Sequence, residues 1–270
     1  GSGAYGKQID RSKLTGKSGK ERRELRKEIS YGGVYISGSD FLASLSLGTQ
    51  NNLIDLEVSG TSLSSLDLTG APYLQYVYVY DNPGLTSITY SSTDLYEVDF
   101  SYNQLTSIDL SGQTNINYLY LDNNQFSSID ISELSNLYYF YVSNNNLTSL
   151  DVSGLSSLYE LYVSNNDLSS ITLSGNSNLY RLSVDYNQLT SIDLTGAPYM
   201  NYLYINNNLL TGTLNISPMR SPYSSPAPTV NTTGNPSLVT IQYDDNCNNQ
   251  QITYVIKDVA TTFTQLGCKL

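Results

Sequence analysis

One frame, Leu-x-x-Leu-x-Val-x-x-Asn-x-Leu, recurs at a fixed spacing through most of the chain. It starts at Leu53, Leu74, Leu95, Ile116, Leu137, Leu158, Leu179 and Met200, each 21 residues after the last. A degenerate copy begins near Tyr31 and carries Val34, Ile36, Leu42, Leu45 and Leu47; a late one follows at 238–246. Such a period marks one supersecondary unit stacked on copies of itself, so a conventional layered core is excluded. Apolar residues alternate in each unit, as in Glu160-Leu161-Tyr162-Val163 and again in Ser170-Ile171-Thr172-Leu173. Two short strands per coil are therefore predicted, each with one face inward. No single coil can bury that face, but stacked neighbours can. The expected fold is a β-rich solenoid of about nine to ten coils, a rod roughly 40 Å long at about 4.8 Å per coil.

The constant columns carry the structural chemistry. Asn82, Asn103, Asn124, Asn145, Asn166, Asn187 and Asn208 form one of them. A carboxamide both donates and accepts, so an inward-turned Asn is expected to satisfy backbone groups at a corner that neither strand reaches. Gly70, Gly112, Gly154, Gly175 and Gly196 recur at the other corner, where a turn of positive φ is expected; Glu133 breaks the column.

The frame resembles leucine-rich repeats, and Leu105-Thr106-Ser107-Ile108-Asp109-Leu110-Ser111-Gly112 is similar to the second half of short bacterial and phage-type repeats. In form it is closest to the cysteine-ladder internalins. Where that ladder would stack, however, this chain has Val58, Val79, Phe100, Leu121, Val142, Val163, Val184 and Ile205. The resemblance implies a leucine-rich-repeat rod and a binding role, without naming a ligand.

Charge divides the chain. Residues 1–30 hold nine of the 13 Lys and Arg against four acids, whereas the remainder holds four basic and 20 acidic residues. A short helix is predicted over 18–30, with Ser18 and Glu21 as a capping box. Two readings of this segment stand: a solvated cap on the end of the core, or an arm anchored on an acidic partner or nucleic acid through Lys17, Lys20, Arg22, Arg23, Arg26 and Lys27. The organisation read from this is a basic arm over 1–30, a solenoid over 31–216, and a Pro-rich loop, last coil and C-terminal cap over 217–270. Five prolines between Ser217 and Ser237 argue for a loop there, and 251–268 reads as one or two capping strands. Cys247 and Cys268 are the only cysteines, equally compatible with a cap disulfide and with free thiols. No apolar run has membrane-spanning length, and no secretory leader is visible.

The outward columns vary. Flanking the central core residue of each first strand are Asp55 and Glu57, Tyr76 and Tyr78, Glu97 and Asp99, Tyr118 and Tyr120, Tyr139 and Tyr141, Glu160 and Tyr162, Arg181 and Ser183, then Tyr202 and Tyr204. Tyrosine brings a rigid apolar ring and a hydroxyl at low entropic cost, the chemistry of a recognition face. The nine tyrosines among them are predicted to bind a protein or glycan; the competing reading is strand stacking alone. The second strand carries Asp67, Asp109, Asp130, Asp151 and Asp193, read as solvated carboxylates sharing bonds with neighbouring hydroxyls.

Histidine is absent, which excludes His-based nucleophile systems and imidazole metal sites. No metal or cofactor is expected. The remaining enzymatic reading is a paired-carboxylate glycoside hydrolase, with Asp55 and Glu57 facing Glu97 and Asp99 about 10 Å away. The preferred reading is a non-enzymatic attachment or decoration component of a larger assembly such as a phage particle, placed on a virion or cell surface. A secreted internalin-like adhesin is the alternative.

Overall fold

A computed structural model describes residues 33–39, 41–219, 228–244, 254–258 and 260–266. The predicted 18–30 helix, the basic arm and both cysteines lie outside the described residues.

The chain forms a parallel β-solenoid, and among the described residues there is no helix. One sheet of eleven parallel strands runs its length. It comprises β1 (Gly33–Ser39), β2 (Asp55–Thr61), β4 (Tyr76–Tyr80), β6 (Glu97–Asp99), β7 (Tyr118–Tyr120), β8 (Tyr139–Tyr141), β10 (Glu160–Tyr162), β12 (Arg181–Ser183), β13 (Tyr202–Tyr204), β15 (Thr229–Asn231) and β17 (Tyr254–Ile256). The register repeats the sequence period: Leu161 pairs with Phe140 on one side and Leu182 on the other. The central residue of each strand points inward and is buried from Leu56 to Val230.

The second strand is less regular than expected. β3 (Ser65–Leu68) pairs with β5 (Ser87–Tyr90), and β9 (Ser149–Asp151) pairs with β11 (Ser170–Thr172). Near the C-terminus β14 (Gly212–Asn215), β16 (Leu238–Asp244) and β18 (Thr262–Leu266) form a third small sheet. Residues 107–110, 128–131 and 191–194 are not strands, yet Leu110, Ile131 and Leu194 are as buried as their counterparts. Burial of the apolar position persists where the ladder lapses.

Part of the Pro-rich segment continues the solenoid instead of looping away. Val230 pairs with Leu203 across 27 residues, and Leu210 N–H donates to Asn235 Oδ1 as in the regular coils. The expected capping strands are β17 and β18, which extend the two sheets in parallel and so add a further turn.

Buried Asn side chains close one corner of each coil. Asn166 Nδ2 donates to Val142 O (3.0 Å) of the preceding coil and Val163 O (3.2 Å) of its own, while its Oδ1 accepts Leu147 N–H (3.0 Å). Asn124, Asn145, Asn187 and Asn208 repeat this set. The residue just before each Asn is left-handed, with φ of 52–57° at Asp81, Tyr102, Asn123, Asn144, Asn165, Tyr186 and Asn207. Asn and Asp tolerate this region better than other side chains.

The glycine corner has two physical causes rather than one. Gly112, Gly154 and Gly175 have positive φ as expected, but Gly70 and Gly196 do not. There a Cβ would lie 1.9 Å from Gly48 O and Leu173 O respectively, so close approach of adjacent coils requires glycine. Where Glu133 replaces glycine, its Oε2 accepts Gly112 N–H at 2.6 Å.

The assigned register makes a direct prediction. Leu161→Ala removes a wholly buried side chain and should cost about 2–5 kcal/mol. In thermal melting it should fall well below Ser170→Ala, whose side chain is exposed.

Candidate binding face

Strand alternation places the two variable columns on the side of the main sheet opposite the core. The pairings Tyr118 with Tyr139 and Tyr120 with Tyr141 set the rings in two parallel rows, one coil apart. The outward register is as read from the sequence, but exposure along it is not uniform. Tyr76 and Tyr78 are 0% and 1% exposed and Tyr118 is 8% exposed, so these three are not the open anchors expected. Tyr76 and Tyr78 pack with Ile54, Tyr80 and Tyr96 in a cluster of their own. Tyr120, Tyr139, Tyr141, Tyr162, Tyr202 and Tyr204 are half-buried, each with part of its ring accessible.

The accessible rings support one another. Tyr120 meets Tyr141 edge-on at 5.1 Å between centroids, and Tyr141 meets Tyr162 at 4.4 Å. Tyr141 hydroxyl donates to Glu160 Oε2 (3.0 Å), and Arg181 Nη1 donates to Tyr162 hydroxyl (2.7 Å). The Arg181 guanidinium also lies 4.6 Å from the centre of the Tyr202 ring. Burial, then the Glu160 carboxylate, pushes the Tyr141 hydroxyl far above its ordinary pKa, so it remains a donor.

Sequence reasoning missed a third row. Tyr138, Tyr159 and Tyr180 stand at the position just after the first leucine of the frame. Their rings stack almost flat, 5.0 Å apart with interplanar angles of 5° and 1°. Tyr180 reaches Tyr202 at 5.4 Å, joining this row to the columns. The rings open onto a shallow groove shared with Asn178 and Tyr199. Their recurrence at 21-residue spacing was the available signal, obscured because the preceding coils carry Gln75, Tyr96 and Asn117 there.

The Leucine Rich Repeat family model matches residues 115–137 and 136–158, two successive coils in the frame read above. The coils are leucine-rich repeats. No curated protein sequence matches the chain. By structure it is similar to YopM, a leucine-rich effector of Yersinia pestis (TM-score 0.63, 18% identity, 90% of this chain and 70% of that one). It is also similar to the leucine-rich repeat domain of APL1B (TM-score 0.62, 15% identity, 93% and 82%). The functional domain of InlJ from Listeria monocytogenes, which includes a cysteine ladder, aligns at a TM-score of 0.46 and 22% identity. The alignment covers 77% of this chain and 55% of that domain's length.

On the opposite side of the repeats, the acidic stack is organised locally. Asp67, Asp109, Asp130, Asp151 and Asp193 each accept the N–H of the residue two positions on. Bonds from Thr69, Ser111, Ser132 and Thr195 hold four of these carboxyls below their usual pKa: Asp67, Asp109, Asp130 and Asp193. Among the described residues no group of three or more His, Cys, Asp or Glu could hold a metal ion.

Asp122 behaves in the opposite way. It sits where β7 leaves the sheet, accepting Ser143 N–H at 2.6 Å. Burial raises its pKa to about 7, against the bond from Ser143 and with a further push from the Asp99 carboxylate. An acid raised by folding favours the fold while neutral. That contribution is complete below the unfolded value of about 4 and disappears as pH rises through the folded value. Asp122→Asn keeps the acceptor and removes the charge. Its melting temperature should therefore gain on the wild type between about pH 5 and pH 8, whereas parallel pH profiles would contradict the assignment.

Proposed function

We propose that this protein is a non-enzymatic protein-binding module, and that its partner docks on the tyrosine rows from Tyr138 to Tyr204. The observation that carries this reading is the continuity of partly accessible rings over four successive repeats, held by edge-on contacts, flat stacking and Arg181. Rigid aromatic side chains with a polar tip are the common anchors of protein interfaces. Aromatic ordering before binding reduces the entropy lost on association.

The glycosidase reading loses its support from the geometry. In register, Tyr76 and Tyr78 stand between the pair Asp55/Glu57 and the pair Glu97/Asp99, and all six side chains are buried. The space between the carboxylates is occupied by rings, where a sugar would have to enter. The finer reading is an attachment component of a larger assembly such as a phage particle, with the rod presenting its tyrosine face to that assembly or its host. It draws on the repeat frame and on the acidic rod read from the sequence.

The test is the double variant Tyr141→Ala/Tyr162→Ala, which removes two touching rings at the centre of the face. Titrated against a protein captured with the wild-type chain as bait, it should lose about 2 kcal/mol or more of binding. Its melting temperature should fall less than that of Leu161→Ala. Unchanged binding with a large melting loss would make the rows internal sheet packing only.

A further inference from the structure

The groove beside the third tyrosine row has a chemistry of its own. The buried residues Leu158, Leu179 and Met200, which open successive frames, separate two surface columns. One column carries Tyr138, Tyr159 and Tyr180; the other carries Ser157, Asn178 and Tyr199. Together they line a groove of about 660 Å³, within the range of small-molecule sites. No charged side chain lines it, although residues 31–270 hold 20 acidic residues and four basic ones. Every side chain that lines it ends in a hydroxyl or a carboxamide. Burial, then neighbouring hydroxyls, raises Tyr138 and Tyr159 above their ordinary pKa, so both remain donors. The wholly buried Asn201 donates to the Tyr180 hydroxyl (3.3 Å), whose own proton is left for an outside acceptor. Asn178 Nδ2 is held by Ser156 O (2.8 Å), which leaves its Oδ1 to accept.

Spacing limits what can lie along this row. The rings repeat at 5.0 Å and are parallel within 5°. A peptide strand repeats its like-facing side chains every ~6.7 Å, so it falls out of step by about 3 Å at the third ring. A helix has a pitch of about 5.4 Å, but it packs by setting side-chain ridges into grooves, and rings stacked flat leave no gaps between them. A chain of β-1,4-linked pyranose units advances by close to one coil spacing per unit and carries hydroxyls along both edges. Successive sugars would therefore meet equivalent phenols on successive coils. Tyr199, which takes no part in the stack and is 51% exposed, supplies apolar ring surface for the C–H face of a sugar.

We propose that this groove binds a neutral, extended β-1,4-linked glycan, one sugar unit per coil. The glycan is carried by the docking partner, a step that rests on the reading above, and the two outward columns meet that partner's protein surface. Neutrality follows from the uncharged lining and from the acidic rod, which repels an anionic polysaccharide.

Isothermal titration of the full chain with cellohexaose and with chitohexaose, up to millimolar concentration, tests the site. At least one should bind. Maltohexaose, whose α-1,4 links coil the chain, should bind about tenfold more weakly, the cost of two or more hydrogen bonds out of register. Tyr159→Phe keeps the flat stack and deletes one hydroxyl, and should weaken binding about 3–10-fold, the worth of one hydrogen bond. Tyr159→Ala should weaken it further, whereas Ser170→Ala, on the second strand, should leave it unchanged. Binding of neither β-1,4 hexaose, equal binding of maltohexaose, or wild-type binding by Tyr159→Phe would each overturn the proposal. If Tyr159→Ala does not fold, Tyr159→Phe decides alone. No protein partner is present in these titrations, so the two readings fail separately. Absent hexaose binding with protein docking still sensitive to Tyr141→Ala/Tyr162→Ala removes the glycan only. Tyr159-dependent hexaose binding with docking insensitive to that double variant supports the groove and removes the docking reading.

Discussion

One carboxamide per coil holds the solenoid's corner together. At that corner the backbone turns through a left-handed residue and leaves the sheet, so its amide and carbonyl groups cannot pair within a strand. An unpaired backbone group in a dry interior costs about 1–3 kcal/mol. Asn166 meets the need on both sides, accepting the N–H of Leu147 and donating to Val142 O and Val163 O. Because its partners belong to two coils, the bond also fixes the distance between them. The longer coil that follows keeps it as well, Asn235 accepting Leu210 N–H and donating to Ile205 O. The main sheet is continuous for this reason, whereas the second strand, which no such column ties, lapses in three coils while its apolar residues stay buried.

This division of labour frees the outer face. Core and corner columns are held constant by packing and hydrogen bonding, and the outward columns carry whatever the surface requires. The face divides into two chemistries along the rod. Toward the N-terminus carboxylates and rings are buried together, and toward the C-terminus three rows of tyrosines remain accessible. Arg181 belongs to the second half, where its guanidinium links Tyr162 to Tyr202.

Much of this was legible in the sequence because the deciding interactions are periodic. The 21-residue spacing predicted that Leu161 would lie between Phe140 and Leu182, and that the Asn column would turn inward to backbone groups. Alternation correctly placed Tyr141 and Tyr162 outward. What the sequence did not reveal depends on contacts outside the period. Tyr76 and Tyr78 have the same outward register as Tyr141, yet they are buried, because exposure depends on what lies over a strand and not on its direction. Gly70 and Gly196 share a column with Gly154, but they are required by a carbonyl of the neighbouring coil and not by φ. The flat Tyr138–Tyr159–Tyr180 stack arises at a position just before the strand, outside the two columns that alternation marks.

The most direct test of the account is native-state amide hydrogen exchange in Asn166→Ala. Stacked repeats open locally, so losing one corner bond should be felt chiefly by the coils it joins. The Leu147 amide, which donates to Asn166 Oδ1, should exchange roughly 10–100-fold faster, matching the penalty of an unpaired buried group. The Leu189 amide, held by Asn208, should keep most of its protection. If the Leu147 amide instead exchanges at its wild-type rate, the asparagine column does not hold the coils together, and the dependence of the fold on that column is wrong.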